Sequence, residues 1–397
     1  MNQHKTTLEK NDIVLTVIAE VEVEKKGNYW FTRDRSFNEI LREYAQYFCC
    51  IHYIGPGDQD ITGEKSPCEG VYVSSIAPYD RRWKRRLGFL LRPAPKVVEK
   101  VNNFKPELDK IIQFRVPSIF SLKCALELKD QNFYGKTAYV AGEWGTSFPA
   151  SHPGLLAKPL GRALQAFERH IIKDYIKASA GDVIAKQFKK NGGCFAYRSS
   201  SHRELTPRLT KNRGKAFIFV GRLEPRKRVC DLIEAFYRLI SNDKNATLTI
   251  IGDGPERSLA EKRVREKELE EHVHFVGNIT DSSELSRYYK EADVLVLPSV
   301  SEGTPKVLPE AMSFGVIPVA CRNVGSIDYV IEDGRNGILF EAKDIDQLTK
   351  ILSDINNCDQ SSRDAMVAEC YAYAESHTLP AEVEKLWTYV ITKIERS

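Results

Sequence analysis

The sequence predicts an α/β protein with two Rossmann-like, doubly wound parallel-sheet domains that face a central cleft. Two observations predict this class. Short β-branched and apolar runs alternate with amphipathic stretches along the 397 residues, which is typical of parallel strands covered by helices. A stretch rich in serine, charge and turn formers interrupts the alternation at 201–214 and is predicted to be a linker. We therefore predict one domain at 1–200, a second at 215–378, and a terminal segment at 379–397.

The first half contains five apolar runs that predict strands, at 12–20, 47–55, 70–78, 108–116 and 136–144. Helices are predicted between them at 36–46, 121–130 and 154–180. A weaker strand–helix pair at 181–190 and a short strand at 194–199 complete this half.

The second half repeats the alternation more clearly. Its predicted strands lie at 215–221, 246–252, 273–279, 293–299, 317–321 and 336–341. In such sheets ligands bind at the carboxyl ends of the strands, so we expect the functional site there.

The composition favours a cytoplasmic protein. No apolar run approaches the roughly 20 residues that span a bilayer, and the N-terminus lacks a small-residue cleavage site. The nine cysteines include no C-x-x-C, and several lie in apolar stretches. We predict reduced, packed thiols rather than a disulfide framework or a zinc site.

The positive charge is concentrated in the first half. Residues 1–200 carry 31 Lys+Arg against 22 Asp+Glu. Seven basic residues lie in 79–96, interleaved with leucine, tryptophan and phenylalanine. This mixture suits peripheral contact with an anionic membrane through residues 81–92, and it equally suits a solvated helix whose leucines face the core. No nucleic-acid motif accompanies it, so we expect no nucleic-acid partner.

A first candidate motif is "FVGRLEPRK". The predicted strand ends before Gly221, which makes the turn, and Arg222 and Lys227 follow. The two cations and the start of the next helix would form a diphosphate pocket, unless this is a surface loop with incidental charge.

A second candidate motif, "TIIGDGPE", places Gly252 after a strand. A lone G-x-G is weak evidence, and the chain has neither G-x-G-x-x-G nor a P-loop. This argues against a dehydrogenase and a P-loop NTPase.

The third motif, "SEGTPKVLPEAM", carries two acids, Glu302 and Glu310. Thr304 is predicted as the N-cap of the next helix and Pro305 as its first residue. Backbone N–H groups would then face an anion, at Gly303, Thr304, Lys306 and Val307. The two acids suit the two sugars of a nucleotide-sugar, because a carboxylate accepts well from vicinal hydroxyls. An ordinary capped helix with two solvated acids is the alternative. Pro309 is predicted to remove one helix hydrogen bond.

These motifs together resemble the donor-binding domain of the large group 1 family of retaining glycosyltransferases, which has the GT-B architecture. The resemblance covers about 215–352. Its elements, in order, are Gly221-Arg222-Leu223, Lys227, "IIGDGP", "FVGN", Pro298-Ser299, Glu302-Gly303, Glu310-Ala311-Met312, Gly315, Pro318 and "NGILF". The step from Gly315 to Pro318 is one residue longer than the commonest family form.

The resemblance implies a retaining transfer of a sugar from a nucleotide-diphosphate donor to a glycan or lipid-linked acceptor. Arg222 and Lys227 would neutralise the diphosphate, Glu302 would meet the donor sugar, and Glu310 the ribose. Asn278 and Ile279 would lie near the base. No metal or other cofactor is implied, since the two cations offset the charge. The triplets at 58–60 and 344–346 are read as loop or helix-cap acids. The C-terminal helix would cross back to the first domain.

The first half matches the family less well. At the strand end where members often place a histidine, this chain has Glu143 and Trp144, with His152 eight residues later. Glu143 would polarise or bind the acceptor hydroxyl, if it is not simply a loop acid. Gly27 is a candidate for close backbone approach to phosphates, and Arg115 for a cation at a strand end.

Three functions fit the sequence. A cytosolic glycosyltransferase in surface polysaccharide synthesis is the leading one. A catalytically inactive GT-B scaffold is kept open by the missing histidine, and the intact set of cations and acids argues against it. A nucleotide-sugar 2-epimerase would need more acid–base residues than the sequence offers.

Overall fold

The computed structural model describes residues 12–76, 95–151, 154–189, 192–198, 200–206, 215–241 and 244–397. The chain divides into two compact units. Unit 1 consists of Met1–Tyr197 and Val383–Ser397, and unit 2 of Arg198–Glu382. The predicted basic segment 81–92 and residues 207–214 of the predicted linker lie outside the described residues.

Unit 1 is built on an eight-stranded sheet. The strands of this unit are β1 (Ile13–Ile18), β2 (Val23–Lys26), β3 (Tyr29–Thr32), β4 (Cys50–Pro56), β5 (Ile61–Lys65), β6 (Val71–Ile76), β7 (Asp109–Val116), β8 (Gly135–Val140), β9 (Ile176–Ala180) and β10 (Phe195–Tyr197). Strands β2 and β3 form a separate hairpin, and the other eight form the sheet. The order in the sheet is β10-β9-β8-β7-β1-β4-β6-β5, and all pairs are parallel except β5 with β6. Every residue of β1 is buried, as expected for a central parallel strand covered on both faces.

The described helices of unit 1 connect these strands. They are α1 (Arg35–Tyr44), α2 (Pro95–Asn103), α3 (Ile119–Glu127), α4 (Trp144–Ser151), α5 (Ala157–Ile171) and α6 (Asp182–Lys186). Asp34 caps α1, since its carboxylate accepts from the Phe37 N–H at 3.2 Å. The C-terminal segment contributes Trp387, whose ring is fully buried against Tyr44 and Phe48.

Unit 2 has a fully parallel six-stranded sheet. Its strands are β11 (Ala216–Val220), β12 (Thr247–Ile251), β13 (Val273–Gly277), β14 (Val294–Leu297), β15 (Ile317–Cys321) and β16 (Ile338–Phe340). The order is β13-β12-β11-β14-β15-β16. Its helices are α7 (Val229–Ile240), α8 (Arg257–Glu266), α9 (Ser282–Glu291), α10 (Val307–Met312), α11 (Ile345–Asn357) and α12 (Gln360–Ser376), and α13 (Leu379–Glu395) follows.

The predicted α/β class is confirmed, and all six strands predicted in the second half are present. Their side chains form one continuous core that includes the fully buried Phe219, Leu248 and Val296. Within the described residues, no helix combines the length and apolarity needed to cross a membrane.

Several predictions for the first half were wrong. The helix predicted over 154–180 ends at Ile171, and Ile176–Ala180 forms β9 beside β8. The alanines in this stretch favour helix locally, but parallel pairing with β8 overrides that preference. The strand predicted over 136–144 ends at Val140, and α4 begins at Trp144. The pair predicted at 181–190 contains only the short α6, and β2, β3 and β5 were not predicted.

Candidate functional site

The carboxyl ends of β11 and β14 mark the switch point of the unit 2 sheet. From β11 the chain continues to β12 and β13 on one side, then crosses to β14 on the other. A crevice forms where strand order reverses in this way, and it is the usual place for a ligand in an open α/β sheet. The loops that follow these two strands carry both predicted cations and Glu302, and Glu310 follows on α10.

Lys227 and Glu302 join the two loops. The Lys227 Nζ lies 2.6 Å from the Glu302 Oε1, and the side chains are only 12% and 7% exposed. The loops are also tied by backbone, because the Val300 N–H donates to the Arg226 carbonyl at 2.9 Å and the Arg226 guanidinium donates to the Ser301 carbonyl at 3.1 Å. The two loops that carry the ion pair are therefore also joined by these two hydrogen bonds.

Arg222 presents its charge to solvent. Its side chain is 74% exposed, and its Nε lies 3.1 Å from Glu224. Glu224 also accepts from Arg226 at 2.8 Å, and this hydrogen bond is the main reason that the pKa of Glu224 lies below its usual value. Arg222 and Lys227 thus place one exposed and one nearly buried cation after the same strand.

Gly252, after β12, allows its loop to approach the loop after β11 closely. A Cβ at Gly252, whose φ is +129°, would lie 2.0 Å from the Gly221 carbonyl oxygen. The Gly221 N–H donates to the Ile251 carbonyl at 3.0 Å, and the Gly252 N–H to the Gly277 carbonyl at 2.8 Å. The turns after β11, β12 and β13 are thereby fixed side by side.

Gly325 supports the Glu302 turn and was not predicted from the sequence. Its φ is +55°, and a Cβ there would lie 2.4 Å from the carbonyl oxygens of both Glu302 and Gly303. The neighbouring Ser326 N–H donates to the Gly303 carbonyl at 2.9 Å. The signal in the sequence was the turn-forming "RNVGS" after β15, but only the fold places it under Glu302.

Glu310 lies in the first turn of α10 and is surrounded by hydroxyls. The Tyr289 hydroxyl donates to its Oε2 at 3.4 Å, and the Ser201 hydroxyl contacts its Oε1. Burial raises the pKa of Glu310 to about 7, against a smaller lowering by Lys306 and Tyr289. Tyr289 and Ser201 were not predicted, because they come from α9 and from the segment before β11.

The predicted N-cap of α10 was wrong. The helix begins at Val307 with Lys306 in the cap position, and no side chain caps it. The Glu310 N–H donates to the Lys306 carbonyl at 3.2 Å, and this first i→i+4 hydrogen bond places the cap two residues after Thr304. The Thr304 hydroxyl is buried and has no partner among the described residues. Pro309 is the third helical residue, where a backbone N–H has no helical partner in any case, so the predicted loss of a hydrogen bond does not occur.

Asn278 and Ile279 follow β13 at the same edge of the sheet, two strands away from β11. Asn278 is exposed, and Ile279 packs partly against the core. The structure therefore places them at the edge that carries the cations, and their predicted role beside a base remains a prediction.

Glu143 and Trp144 lie after β8 in unit 1, at the start of α4. The Gln165 amide donates to the Glu143 carboxylate at 2.9 Å, and Arg169 lies 3.8 Å away. The Trp144 indole donates to the buried Glu168 at 2.8 Å. Burial raises the pKa of Glu168 to about 7. Glu168 and Gln165 were not predicted, because they lie on α5 and reach this loop only in the folded unit.

The other predicted residues of unit 1 lie on different elements. Gly27 occupies the β2–β3 hairpin turn with a φ of +62° and open space around it. Arg115 lies near the end of β7 beside Phe37 and Tyr139. His152 lies outside the described residues.

The two Asp-x-Asp triplets have local partners. Asp60 pairs with Lys96 and, at 2.9 Å, with Lys100. Asp344 caps α11 by accepting from the Gln347 N–H at 2.8 Å, and Asp346 pairs with Arg238. In the portion of the chain that the structure describes, no cluster of three or more acidic, histidine or cysteine side chains suits a metal ion.

Comparison with known proteins gave matches in sequence and in fold. Residues 202–372 match the family model described as glycosyl transferases group 1. The alpha-monoglucosyldiacylglycerol synthase of Acholeplasma laidlawii is 28% identical over 186 residues, which is 45% of this chain and 46% of that protein. The match thus spans about half the length of this relative.

Two solved structures share the fold over nearly the whole chain. Sucrose-phosphate synthase from Thermosynechococcus elongatus has a TM-score of 0.68 at 16% identity, covering 97% of this chain and 100% of that one. Anabaena HepE in complex with UDP has a TM-score of 0.65 at 15% identity, covering 96% and 100%.

Proposed function

Because residues 202–372 match the model of the glycosyl transferases group 1 family, we propose that this protein transfers a sugar from a nucleotide-diphosphate donor to a glycan or lipid-linked acceptor. The stereochemistry we propose is retention at the anomeric carbon. The observation that carries the proposal is the Lys227–Glu302 pair at 2.6 Å on the switch point of the unit 2 sheet, with Arg222 exposed after the same strand.

The cations act on the leaving group. When the bond between the anomeric carbon and the diphosphate oxygen breaks, the electron pair leaves with that oxygen. Arg222 and Lys227 offset the developing charge, and Lys227, which is held by Glu302, needs little reorganisation during the reaction. No metal is needed in this proposal, because the two cations offset the diphosphate charge that a divalent ion would otherwise neutralise.

The acids bind the two sugars. Glu302 is held by Lys227 and turned toward the edge of the sheet where the diphosphate would lie, so it is our candidate for contact with the donor sugar. Glu310 accepts from the ribose hydroxyls, and Asn278 and Ile279 approach the base. The Gly252 and Gly303 turns, with residues 304–307, give the phosphates access to backbone.

The acceptor side lies in unit 1. The acceptor oxygen forms the new bond to the anomeric carbon and loses its proton, and Glu143 is our candidate for polarising that hydroxyl. Trp144 and His152 are candidates for acceptor contacts, and Gly27 for approach to phosphate. The matched relative is named for a glucosylated diacylglycerol, which supports a lipid-linked acceptor. A role in surface polysaccharide synthesis is the biological setting we propose.

Calorimetric titration with UDP, GDP and ADP in metal-free buffer tests the donor site. One nucleotide should bind, and Lys227→Gln should weaken it by about 10–100-fold, since a hydrogen bond to a charged group contributes about 1.5–3 kcal/mol. Lys267→Gln is the matched control, because Lys267 is also ion-paired in unit 2, at 2.8 Å from Glu234, but away from the switch point. Binding of none of the three nucleotides would overturn the proposal and favour an inactive scaffold.

A cytoplasmic location with peripheral contact at the inner membrane face completes the proposal. The basic, leucine-rich segment 81–92 is the candidate contact. Wild-type protein should sediment with vesicles that contain anionic lipid and not with neutral ones, and neutralising Arg81, Arg82, Lys84, Arg85 and Arg86 should abolish this. Equal recovery with both vesicle types would contradict the contact.

A further inference from the structure

We propose that Arg115 forms an anion-binding subsite in unit 1 that recognises a phosphate or carboxylate on the acceptor. This inference rests on the proposed transferase function. It adds to it a chemical class of acceptor, namely one that carries an anionic group near the reacting hydroxyl.

The first support is the position of Arg115 in the unit 1 sheet. It is the last residue but one of β7, and β7 pairs with β1. From β1 the chain proceeds to β4 and β6 on one side, and later returns to β7 on the other. The order therefore reverses between β1 and β7, so Arg115 stands at the carboxyl-end switch point where open α/β sheets bind ligands.

The second support is the way the guanidinium is held. Its centre lies 5.2 Å from the ring of Phe37 and 5.1 Å from that of Tyr139, and both rings are buried. These cation–π contacts fix the side chain without using any of its five N–H donors, which lie in the guanidinium plane. A fixed guanidinium with unused donors suits bidentate binding of a carboxylate or a phosphate.

The third support is the distribution of charge around it. Arg115 makes no ion pair with any residue that the structure describes, whereas the acids on neighbouring elements have other partners. Glu20, after β1, accepts from the Ser118 hydroxyl at 3.0 Å. Asp34 caps α1, and Glu143, after β8, accepts from Gln165. Since no described carboxylate forms an ion pair with Arg115, an anionic ligand would supply that partner.

Calorimetry on the full-length protein tests the subsite. Glycerol 1-phosphate is the phosphate probe, methyl glucuronide the carboxylate probe, and glycerol the uncharged control. We expect wild-type protein to bind at least one anionic probe and to ignore glycerol, and the preferred probe identifies the anion. Arg115→Gln should weaken that binding at least tenfold. Arg115→Lys, which keeps the charge and loses the bidentate geometry, should weaken it less.

The matched control is Lys136→Gln. Lys136 lies in the neighbouring strand β8, and its ammonium is 5.6 Å from the centre of the Phe133 ring. It is near the amino end of β8, whereas Arg115 is near the carboxyl end of β7. Its removal changes the net charge equally and should leave probe binding unchanged. Equal binding by wild-type, Arg115→Gln and Arg115→Lys proteins would overturn the inference, as would failure of wild type to bind either anion.

Nucleotide titration of the same samples tests the proposed function separately. Nucleotide binding without anion binding would overturn only the acceptor subsite. Anion binding lost in Arg115→Gln without nucleotide binding would overturn the donor assignment and leave the subsite standing. If Arg115→Gln does not fold, the comparison of Arg115→Lys with wild type provides the test. Tyr139→Phe keeps the ring beside the guanidinium and should bind the anionic probe as wild type does.

Discussion

The Lys227 ammonium lies 2.6 Å from the Glu302 carboxylate, and this pair joins the loops that follow the adjacent strands β11 and β14. Both side chains are nearly buried, so each charge depends on the other in the absence of ligand. Removal of one partner from such a pair leaves an uncompensated charge, whereas removal of both does not. The pair therefore links the stability of unit 2 to the proposed donor chemistry.

We predict that Lys227→Gln and Glu302→Gln each destabilise the protein by about 3 kcal/mol, and that the double variant is destabilised by less than the sum. Urea unfolding followed by circular dichroism measures this. Lys267→Gln should cost less than about 1 kcal/mol, because its pair is more exposed. Simple additivity of the two single effects would show that the pair is not coupled.

Nucleotide affinity should rise with pH through about 7. The pKa of Glu310 is raised to about 7 by burial, so the carboxylate that accepts from ribose forms only as the pH rises through that value. Glu310→Gln should bind more weakly at pH 8 and show no such rise. Tyr289→Phe removes a hydrogen bond that lowers this pKa and should move the midpoint upward. A wild-type affinity that is flat from pH 6 to 8 would contradict the ribose role.

Glu168 should make unit 1 less stable at high pH. Its pKa is raised to about 7, mainly by burial, so its contribution to stability is full below the unfolded value near 4.5 and is lost as the pH rises through 7. A difference of this size corresponds to about 3 kcal/mol. Glu168→Gln keeps the shape and the acceptor for Trp144, and should remove this loss. The check is unfolding free energy at pH 5 and pH 8, and equal pH dependence in both proteins would disprove it.

Gly325→Ala should disturb the Glu302 turn. The new Cβ would meet two carbonyl oxygens at 2.4 Å, in addition to the cost of a positive φ. Gly334→Ala is the control, because its φ is +77° and nothing lies within 4 Å of the added Cβ. We expect Gly334→Ala to cost about 1 kcal/mol and Gly325→Ala distinctly more, with weaker nucleotide binding only in the latter. Calorimetry and thermal unfolding would show this, and equal effects would argue that the contact is easily relieved.

Chelation should leave transfer unchanged. The proposed chemistry offsets the diphosphate charge with Arg222 and Lys227, so EDTA should not reduce turnover or nucleotide affinity. The measurement is nucleotide release from a donor mixture before and after dialysis against EDTA. Activity restored only by added Mg²⁺ or Mn²⁺ would overturn the cation assignment.

The sequence alone determined the α/β class, the six strands of unit 2 and the positions of Arg222, Lys227, Glu302 and Glu310, because runs of buried parallel strand and the turns after them are local signals. It did not determine β9, because the alanines of this strand favour helix locally and only pairing with β8 overrides that preference. It also placed the start of α10 too early, since the first helical hydrogen bond is accepted by the Lys306 carbonyl and not by that of Thr304.

Tertiary structure alone decided which groups meet. Lys227 and Glu302 are 75 residues apart, yet the order of β11 and β14 makes their loops neighbours. The tertiary structure likewise brings Gly325 against the Glu302 turn, Tyr289 beside Glu310, and Arg115 between the rings of Phe37 and Tyr139. Sheet order is set by packing over the whole chain, whereas sequence patterns report only local periodicity, so these contacts could not be predicted from spacing.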